Sequence, residues 1–580
     1  MNIAVPSHMT LPTGRRAAPS RWDFIAFPLI FVIFVLLALG AKGTFAPIES
    51  IRATPISLDP AFLPGYAVRT VLRMLAALAA SLLFTLTYGT LAAKSKRAEM
   101  ILIPILDILQ SVPILGYISF TVIFFLNLFP GQVLGAEFAS IFAVFTSQAW
   151  NMAFSFYQSL RTIPHDLDEA SRVFHFSTWQ RFWRLEAPFA APGLVWNMMM
   201  SMSGGWFFVV ASEAISVGNE QITLPGIGSY VALAIAQRNL GAIFWALGAM
   251  TVVIALYDQL MFRPLVVWAD HFRFEQAAAQ STPHSWFLNV LQRSRLLQRA
   301  VRPLSLVMRR VMRARLLNAS VPGPIVTEVS ARSGVADRLW TASVALAALG
   351  AAAMIVRYIA TELGWSDVLT VFRLGAYTLL RVAVLIALSS IIWVPLGVLI
   401  GLRPRLAEKL QPLAQFLAAF PANLLFPFVV VVIVRFDLNP DIWLSLLMIL
   451  GTQWYILFNV IAGTTAYPTD FLEAADNFQI HGWQWWRKVI LPGIFPYYVT
   501  GALTASGGSW NASIVAESVS WGQTHLTAHG LGAYIAQMTV AADYPRIVLG
   551  IAVMSLYVIF FNRVLWRRLY AYGEAHLRLD

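Results

Sequence analysis

Hydrophobic residues in this chain are concentrated in long, nearly uninterrupted runs. As helices, runs such as 24–41 and 442–462 are long enough to cross about 30 Å of hydrocarbon. We place six spans in each half of the chain, at 24–41, 66–91, 101–126, 137–160, 190–216 and 241–262, and then at 339–361, 374–401, 412–434, 441–466, 493–520 and 546–566. The pattern predicts an all-α integral membrane protein with about twelve transmembrane helices.

The composition and the charge fit a lipid bilayer. The 580 residues are 58% hydrophobic and 12% charged, whereas a soluble protein carries about a quarter charged residues. The net charge of +12 comes from arginines and lysines that lie between the spans, which is the positive-inside pattern and not a nucleic-acid surface. We read the first run as a retained signal anchor, because it exceeds the usual length of a signal peptide's apolar region.

Two segments of the chain are copies of each other. The eleven residues from Pro164 to Phe174 match those from Pro468 to Phe478, with an offset of 473 − 169 = 304. Upstream the offset is 381 − 73 = 308. Because six spans are an even number, the halves are parallel repeats related by an axis along the membrane normal.

The repeats and the charge pattern predict the domain organisation. We expect a cytoplasmic N-terminal tail over 1–23, a first repeat domain over 24–266, a basic cytoplasmic linker over 267–337 and a second repeat domain over 338–580.

A polar segment between the fourth and fifth spans of each half predicts a cytoplasmic helical hairpin. Asp166 and Glu169 follow a proline at the expected helix start, and Asp470 and Glu473 do so in the second copy. Acidic residues at this position stabilise the amino end of a helix. By themselves they fit simple capping as well as a functional role.

These residues resemble the permease domain of binding-protein-dependent ABC importers of type I. That family's signature is Glu-Ala-Ala, a glycine six positions after the glutamate, and Ile-x-Leu-Pro ending nineteen after it. The second copy fits it well, through Glu473-Ala474-Ala475 and Pro492, whereas the first is looser, through Glu169-Ala170-Ser171, Glu186 and Ala187. We therefore expect the two copies to contact their ATPases unequally.

Both copies lack the signature's glycine, which is replaced by His175 and Gln479. Glycine would allow a left-handed turn between two short helices. We expect this turn to be reshaped or displaced by about a residue, with Gly482 as a candidate in the second copy.

The resemblance implies that each hairpin is a coupling helix that docks on a separate ATPase. It also implies two ABC ATPase subunits, a periplasmic or extracellular solute-binding protein and a bacterial inner-membrane location. The candidate coupling residues are Asp166, Glu169, Ala170, Trp179, Phe182, Asp470, Glu473, Ala474, Trp483 and Trp486. Alternatively, the aromatic residues pack under their own spans at the membrane boundary.

The branch of the family that imports nitrate, sulfonates, taurine or bicarbonate gives the closest resemblance. It rests on a glutamate at the end of the fifth span, Glu213 or Glu517, followed by Gly226-Ile-Gly228-Ser-Tyr230 or Gly530-Leu-Gly532-Ala-Tyr534. The resemblance implies a small anionic solute.

The chain itself lacks the signatures of catalysis. It contains no Gly-Lys pair and hence no Walker A loop, so ATP and Mg²⁺ are expected on the partner ATPase. Zero cysteines exclude disulfides and thiolate chemistry. We expect a transport subunit without cofactor, metal or enzyme activity of its own.

Polar residues within the spans are the candidates for lining a solute pathway. They are Gln148, Trp150, Asn151, Trp206, Glu213, Gln453, Trp454, Asn459, Trp510, Asn511 and Glu517. The alternative is that they join helices structurally. The two glutamates would repel an anion, which favours packing or gating for them. A rival function is a proton-coupled secondary transporter that uses Glu213 and Glu517.

Overall fold

A computed structural model describes residues 20–42, 44, 46–49, 55–112, 114–116, 118–217, 220–272, 285–314, 335–465, 467 and 469–576. Most of the predicted N-terminal tail, two parts of the linker and Pro468 lie outside the described residues. Within the described ranges, nine helices are long and apolar enough to cross a membrane, or eleven if each of two bent helix pairs is one span. The all-α membrane architecture is confirmed.

The first repeat consists of helices joined by short turns and one hairpin of strands. Its elements are α1 (Asp23–Ala41), α2 (Leu63–Lys94), α3 (Lys96–Ser111), α4 (Ile118–Leu128), α5 (Val133–Arg161), α6 (His165–Val173), α7 (Thr178–Arg181), α8 (Ala187–Glu213), β1 (Ala214–Val217), β2 (Glu220–Thr223), α9 (Ile227–Ala236), α10 (Leu240–Tyr257) and α11 (Arg263–Asp270). Two helices of the linker follow, α12 (Trp286–Arg293) and α13 (Arg295–Arg313).

The second repeat follows the same plan. Its elements are α14 (Val335–Glu362), α15 (Trp365–Gly401), α16 (Pro404–Ala419), α17 (Phe426–Arg435), α18 (Pro440–Trp443), α19 (Ser445–Leu450), α20 (Gln453–Thr465), α21 (Thr469–Asn477), α22 (Gly482–Trp485), α23 (Leu491–Ala516), β3 (Ser518–Trp521), β4 (Thr524–Thr527), α24 (Leu531–Val540), α25 (Tyr544–Phe561) and α26 (Arg567–His576). Both strand pairs are antiparallel hairpins.

Three predicted spans are not continuous helices. The span at 101–126 is divided between α3 and α4, and the span at 412–434 bends by 82° between α16 and α17. In the second case Pro421 interrupts the helix, because proline has no N–H and restricts the residue before it. The span at 441–466 bends by 44° near Gly451. These breaks account for the difference between about twelve predicted spans and the nine to eleven candidate spans of the described residues.

The duplication is visible in the irregularities of the backbone. A five-residue π-helical turn, Phe182–Glu186, joins α7 to α8, and Trp486–Ile490 occupies the equivalent place in the second repeat. A second pair, Asp258–Phe262 and Asn562–Trp566, follows α10 and α25. Because π-turns are rare in helices, their recurrence at an offset of 304 supports one ancestral fold.

The first spans of the two halves depart from this symmetry. Gly40 of α1 lies against Leu72 of α2. In contrast, α14 packs on α25, and its Trp340 donates from Nε1 to the carbonyl of Arg97 in the first repeat at 3.4 Å. None of the apolar window of α14 is buried. These two spans are peripheral additions to the repeated part.

Candidate functional site

The two predicted hairpins, α6–α7 and α21–α22, turn at the position where the signature has glycine. His175 has a φ of 48° and Gln479 a φ of 53°. In the first hairpin the N–H of Phe176 donates to the carbonyl of Ser171 at 3.2 Å, and in the second Ile480 donates to Ala475 at 2.9 Å. These bonds are those of a Schellman motif, which ends a helix with a left-handed residue.

The turn has therefore kept its place in both copies. The expectation that it is displaced was wrong, because His175 and Gln479 adopt the left-handed conformation themselves. That conformation costs a residue with a side chain roughly 1–2 kcal/mol. Gly482 also has a positive φ, of 60°, but it begins α22 and follows a turn that is already complete.

Under the first hairpin lies a cluster of charged side chains. The Arg181 guanidinium lies 2.5 Å from Asp168 Oδ1 and 3.1 Å from Glu186 Oε1, and Lys94 Nζ lies 2.7 Å from Glu186 Oε2. Glu186 is fully buried. Its two oxygens are compensated by these cations at close range, without aligned hydrogen bonds. The cluster ties α2 to the hairpin and to the start of α8.

The second hairpin has apolar side chains in place of these four residues, and Asp476 in place of Arg172, which also contacts Asp168 at 2.9 Å in the first hairpin. At offset 304, Leu472 stands for Asp168, Trp485 for Arg181 and Ile490 for Glu186, and at offset 308 Leu402 stands for Lys94. Ile490 belongs to the hydrophobic core, and Leu402, Leu472 and Trp485 pack against it. The two hairpins thus share one backbone conformation, with charged side chains beneath the first and apolar side chains beneath the second.

The candidate coupling residues fall into exposed and packed groups. The acidic side chains Asp166, Glu169, Asp470 and Glu473 are exposed, whereas Ala170 and Ala474 are half-buried.

Among the candidate aromatic residues, Trp483 is 73% exposed. Phe182 packs edge-on against Phe156 and Trp183, and Trp486 packs edge-on against Trp485. Trp179 donates from Nε1 to the carbonyl of Val311 in the linker helix at 2.8 Å. Among these aromatic residues, Trp483 is therefore exposed as a docking residue would be, whereas Phe182, Trp486 and Trp179 have partners within the chain.

At the opposite face of the first repeat, a buried arginine joins three spans. Arg73 of α2 contacts both oxygens of Glu137 of α5, at 2.6 and 2.7 Å, and Oε1 of Glu213 at the end of α8, at 2.7 Å. Thr70 Oγ1 donates to the same Glu213 oxygen at 2.7 Å, and the N–H of Gly228 donates to Oε2 at 2.6 Å. Arg73 is 2% exposed.

The second repeat contains the same arrangement. Arg381 contacts Glu517 at 3.0 Å and Asp441 at 2.8 Å, Thr378 donates to Glu517 at 2.9 Å, and the N–H of Gly532 donates to it at 2.8 Å. This network is more open, since the Arg381 side chain is 12% exposed and that of Asp441 is 36% exposed.

This network explains the Gly-x-Gly sequences. A Cβ atom on Gly226 would lie 2.3 Å from the Glu213 carboxylate, and one on Gly530 would lie 2.1 Å from that of Glu517. Only glycine permits such a close approach of the backbone to a carboxylate. The Gly-x-Gly sequences alone did not indicate this contact, and no role was predicted for Arg73, although a charge within a span was the available signal.

The two halves meet through pseudo-symmetric contacts. A short 3₁₀ turn after the break in the third span, Ile114–Gly116, lies against α23, where the N–H of Ile114 donates to Asn511 Oδ1 at 2.7 Å. Its counterpart, Ala422–Leu425, lies against α8, where Asn423 Nδ2 donates to the carbonyl of Phe207 at 3.1 Å. Phe207 and Asn511 are equivalent positions, since 511 − 207 = 304.

A cavity of about 180 Å³ lies between the halves. Its lining includes Met199, Ser203 and Trp206 of α8, Phe416 of α16 and Trp454 of α20. Ser203 Oγ donates across it to the carbonyl of Ala418. Met, Phe and Trp side chains make this wall largely apolar.

The candidate pathway residues are not gathered at one place. Trp206 and Trp454 line the cavity. Gln148, Glu213, Trp510 and Glu517 are buried within their own repeats, and Trp150 packs edge-on against Phe84. Asn151 accepts from Gln110 at 2.8 Å, Gln453 accepts from Trp393 at 3.0 Å, and Asn459 donates to the carbonyl of Tyr455 at 2.8 Å. Asn511 lies at the contact between the halves.

The sequence pattern of one protein family matches this chain twice. It is the family described as binding-protein-dependent transport system inner membrane component, and it matches residues 85–263 and 393–570. Together the two matches cover more than half of the chain. The chain belongs to this family. It is a multi-pass inner-membrane permease with two fused copies of the family's domain, and the outer limits of the two predicted domains stay predictions.

Curated relatives share about a quarter to a third of the aligned residues. A bicarbonate transport system permease protein of Synechococcus elongatus is 33% identical over 145 residues, 25% of this chain and 51% of the relative. A nitrate import permease protein of Leptolyngbya laminosa is 27% identical over 32% of this chain and 63% of the relative. A glycine betaine/proline betaine permease protein of Escherichia coli is 27% identical over 35% and 54%. The chain spans about half to two thirds of these relatives.

Proposed function

We propose that this chain forms the transmembrane part of an ABC importer. The two repeats enclose one solute pathway, and the hairpins α6–α7 and α21–α22 dock on two separate ATPase subunits that bind ATP and Mg²⁺. An external solute-binding protein delivers the solute. One chain would thereby supply both membrane halves.

The pair of hairpins carries this proposal. Each hairpin follows a span of its own repeat, turns through a left-handed residue at the same position and exposes an acidic helix start. A rigid helix with exposed docking residues suits the transmission of a movement from a soluble partner to the spans. A membrane scaffold without such a partner would not need two copies of it.

The rival proton-coupled mechanism has less support in the geometry. Glu213 accepts hydrogen bonds from Arg73, Thr70 and the N–H of Gly228, and Glu517 is held in the same way in the second repeat. A carboxylate that an arginine holds in this way would have to lose these contacts before it could take up and release a proton. Such residues suit the joining of spans better than proton transfer.

For the solute, we propose a small anion of the bicarbonate, nitrate, sulfonate or taurine type. The support comes from the bicarbonate and nitrate permease proteins among the relatives. Betaine permease proteins match at similar identity, so a zwitterionic solute is the competing candidate. Uptake of radiolabelled bicarbonate, nitrate, taurine and glycine betaine by cells that express the whole transporter distinguishes the two classes.

The test of the coupling role is purification of the full chain from its native membrane in mild detergent. We expect an ATPase to co-purify and to hydrolyse Mg·ATP. Changing both Glu169→Gln and Glu473→Gln should weaken this association or uncouple hydrolysis from uptake, because both carboxylates are exposed on the hairpins.

The matched control for that experiment is Glu49→Gln. Glu49 is also exposed, but it lies between the first two spans, on the face away from the hairpins. We expect it to leave ATPase association unchanged. Uptake driven by a proton gradient in the purified chain alone would overturn the proposal.

A further inference from the structure

The linker helix α13 has two chemically distinct faces. Apolar residues recur along it at intervals of three and four, which places them on one side of the helix. They are Leu297, Val301, Leu304, Met308 and Val311. Six arginines lie on the other side, and the helix has no acidic residue; they are Arg295, Arg299, Arg302, Arg309, Arg310 and Arg313.

The apolar face of α13 is not covered by the described part of the chain. Val301 is 46% exposed, Leu304 65%, Met308 49% and Val311 43%. No residue of the helix is buried. A continuous exposed apolar stripe of this kind marks a contact with a membrane or another partner.

The amino end of α13 is fixed to the start of the first span. Asp23, the first residue of α1, accepts a hydrogen bond from Ser294 Oγ at 2.5 Å and another from the N–H of Leu296 at 3.0 Å. The Arg293 guanidinium lies over the ring of Trp22 at 5.3 Å. The helix therefore starts at the membrane edge.

The carboxyl end of α13 is fixed to the first hairpin. Trp179 Nε1 donates to the carbonyl of Val311, and Gln180 Nε2 donates to that of Arg313, both at 2.8 Å. These carbonyls lie in the last turn, where a helix lacks part of its N–H donors, and that of Val311 also accepts from the N–H of Ala314 at 3.2 Å. The start of α1 and the hairpin lie on one side of the membrane, because the end of α1 packs on the start of α2 at Leu72 and the end of α2 meets the hairpin through Lys94. The helix of about 28 Å thus lies along that face.

We propose that α13 is a membrane-surface helix that binds anionic phospholipid headgroups of the cytoplasmic leaflet. Its arginines contact the headgroups, and its apolar side chains enter the upper acyl region, as in other basic amphipathic helices. Arg299, Arg302, Arg309 and Arg310 form no ion pair with the described residues of this chain. The amino end of the helix contacts the start of span α1, so the bilayer is the apolar surface next to that end.

Lipid binding by α13 affects the first hairpin and not the second. Trp179 and Gln180 cap α13, whereas their counterparts Trp483 and Gln484 are exposed in the second repeat. Anionic lipid that holds α13 on the membrane therefore also holds the first hairpin in place. This link does not depend on the identity of the solute or of the ATPase.

Depth-dependent quenching tests the orientation of the helix. The chain has no cysteine, so Leu304→Cys and Leu306→Cys each give one site for a fluorescent label. Leu306 is two residues further along, about 200° around the helix, and its side chain is 49% exposed. In lipid nanodiscs with brominated acyl chains, we expect the label at position 304 to be quenched at least about threefold more strongly. Equal quenching at the two positions would overturn the proposal.

A second arm tests the anionic headgroups. In the Leu304→Cys background, phosphatidylglycerol added to phosphatidylcholine nanodiscs should increase the quenching. Changing Arg302→Gln, Arg309→Gln and Arg310→Gln together should abolish that increase, because each arginine near an anionic surface contributes about a fivefold preference. Quenching that does not increase with phosphatidylglycerol would contradict lipid recognition, as would an increase that persists in the triple variant. Loss of quenching when the ATPase binds would assign the face to that protein instead.

Discussion

Arg181 and Trp485 occupy equivalent positions in the two hairpins, and one is the centre of an ion cluster while the other packs against the apolar core. Arg181 has both Asp168 and Glu186 as its acidic neighbours. Trp485 has Leu472 and Ile490 at the corresponding places. The same backbone is therefore stabilised in two incompatible ways.

This relationship predicts that single exchanges are harmful and that a complete exchange is tolerated. Arg181→Trp alone removes the cation that two buried carboxylates share, which leaves Asp168 with the partly exposed Arg172 and Glu186 with Lys94, and should cost about 3 kcal/mol. Replacing the four residues other than Arg172 with their counterparts from the second repeat should be nearly neutral, because Arg172, which loses Asp168, is partly exposed to solvent. That variant combines Lys94→Leu, Asp168→Leu, Arg181→Trp and Glu186→Ile. Chemical unfolding in detergent micelles measures both; a quadruple variant as unstable as the single one would refute the equivalence.

The left-handed turns predict stabilising substitutions. His175→Gly and Gln479→Gly should each raise the free energy of unfolding by about 0.5–1 kcal/mol. Glycine removes the steric cost of a positive φ, and its greater flexibility in the unfolded chain offsets part of that gain. Ala474→Gly, within α21, is the control and should lower it by about 1 kcal/mol. Thermal unfolding of the purified chain gives the ranking. Destabilisation by both turn variants would contradict the assigned backbone.

The close approach of glycine to glutamate predicts two intolerant positions. Gly226→Ala and Gly530→Ala would bring a methyl group into the carboxylates of Glu213 and Glu517. The backbone would have to move and the buried ion pairs would open, at a cost of about 3 kcal/mol or more. Gly204→Ala and Gly507→Ala serve as controls, since an added Cβ at either position meets nothing within 4 Å. The yield of folded protein in detergent compares the four variants.

The two arginine networks predict unequal costs. Arg73→Gln leaves two buried carboxylates unpaired and should cost about 3–5 kcal/mol. Arg381→Gln should cost less, because Asp441 is partly exposed to solvent and water replaces part of the lost contact. Adding Glu137→Gln to Arg73→Gln should recover part of the stability by removing one buried charge. Melting temperatures check this order, and a larger loss for Arg381→Gln would contradict it.

The sequence predicted the class of fold, the duplication and the hairpins, because apolar length, repeated tryptophans and repeated prolines are local signals. It failed where two distant segments determine the outcome. The role of Arg73 needs Glu137 and Glu213 on other helices, and the turn at His175 needs the hydrogen bonds of a completed helix end. The breaks in the third spans were missed because apolar length does not show where a helix bends.

The candidate pathway stays a prediction, and its residues lie in different surroundings in the structure. Polar residue type alone selected Gln148 and Glu517, which are buried inside a repeat, together with Trp206 and Trp454, which face the cavity between the repeats. Which side of a helix meets the other half depends on packing angles that a single sequence does not encode. The coupling aromatics were divided in the same way, since Trp483 is exposed whereas Trp486 packs inward.

The exchange of charges for apolar groups beneath the hairpins also constrains how the two repeats diverged. If either cluster gave rise to the other by single substitutions, most orders of change pass through a buried charge without a counter-charge, which selection removes. Removing an acid together with its neighbouring base, such as Asp168 with Arg181 or Glu186 with Lys94, avoids such an intermediate. Each half consequently keeps its own set of side chains beneath the hairpin. A chimera that joins the two halves at this boundary would combine charged residues of one set with apolar residues of the other.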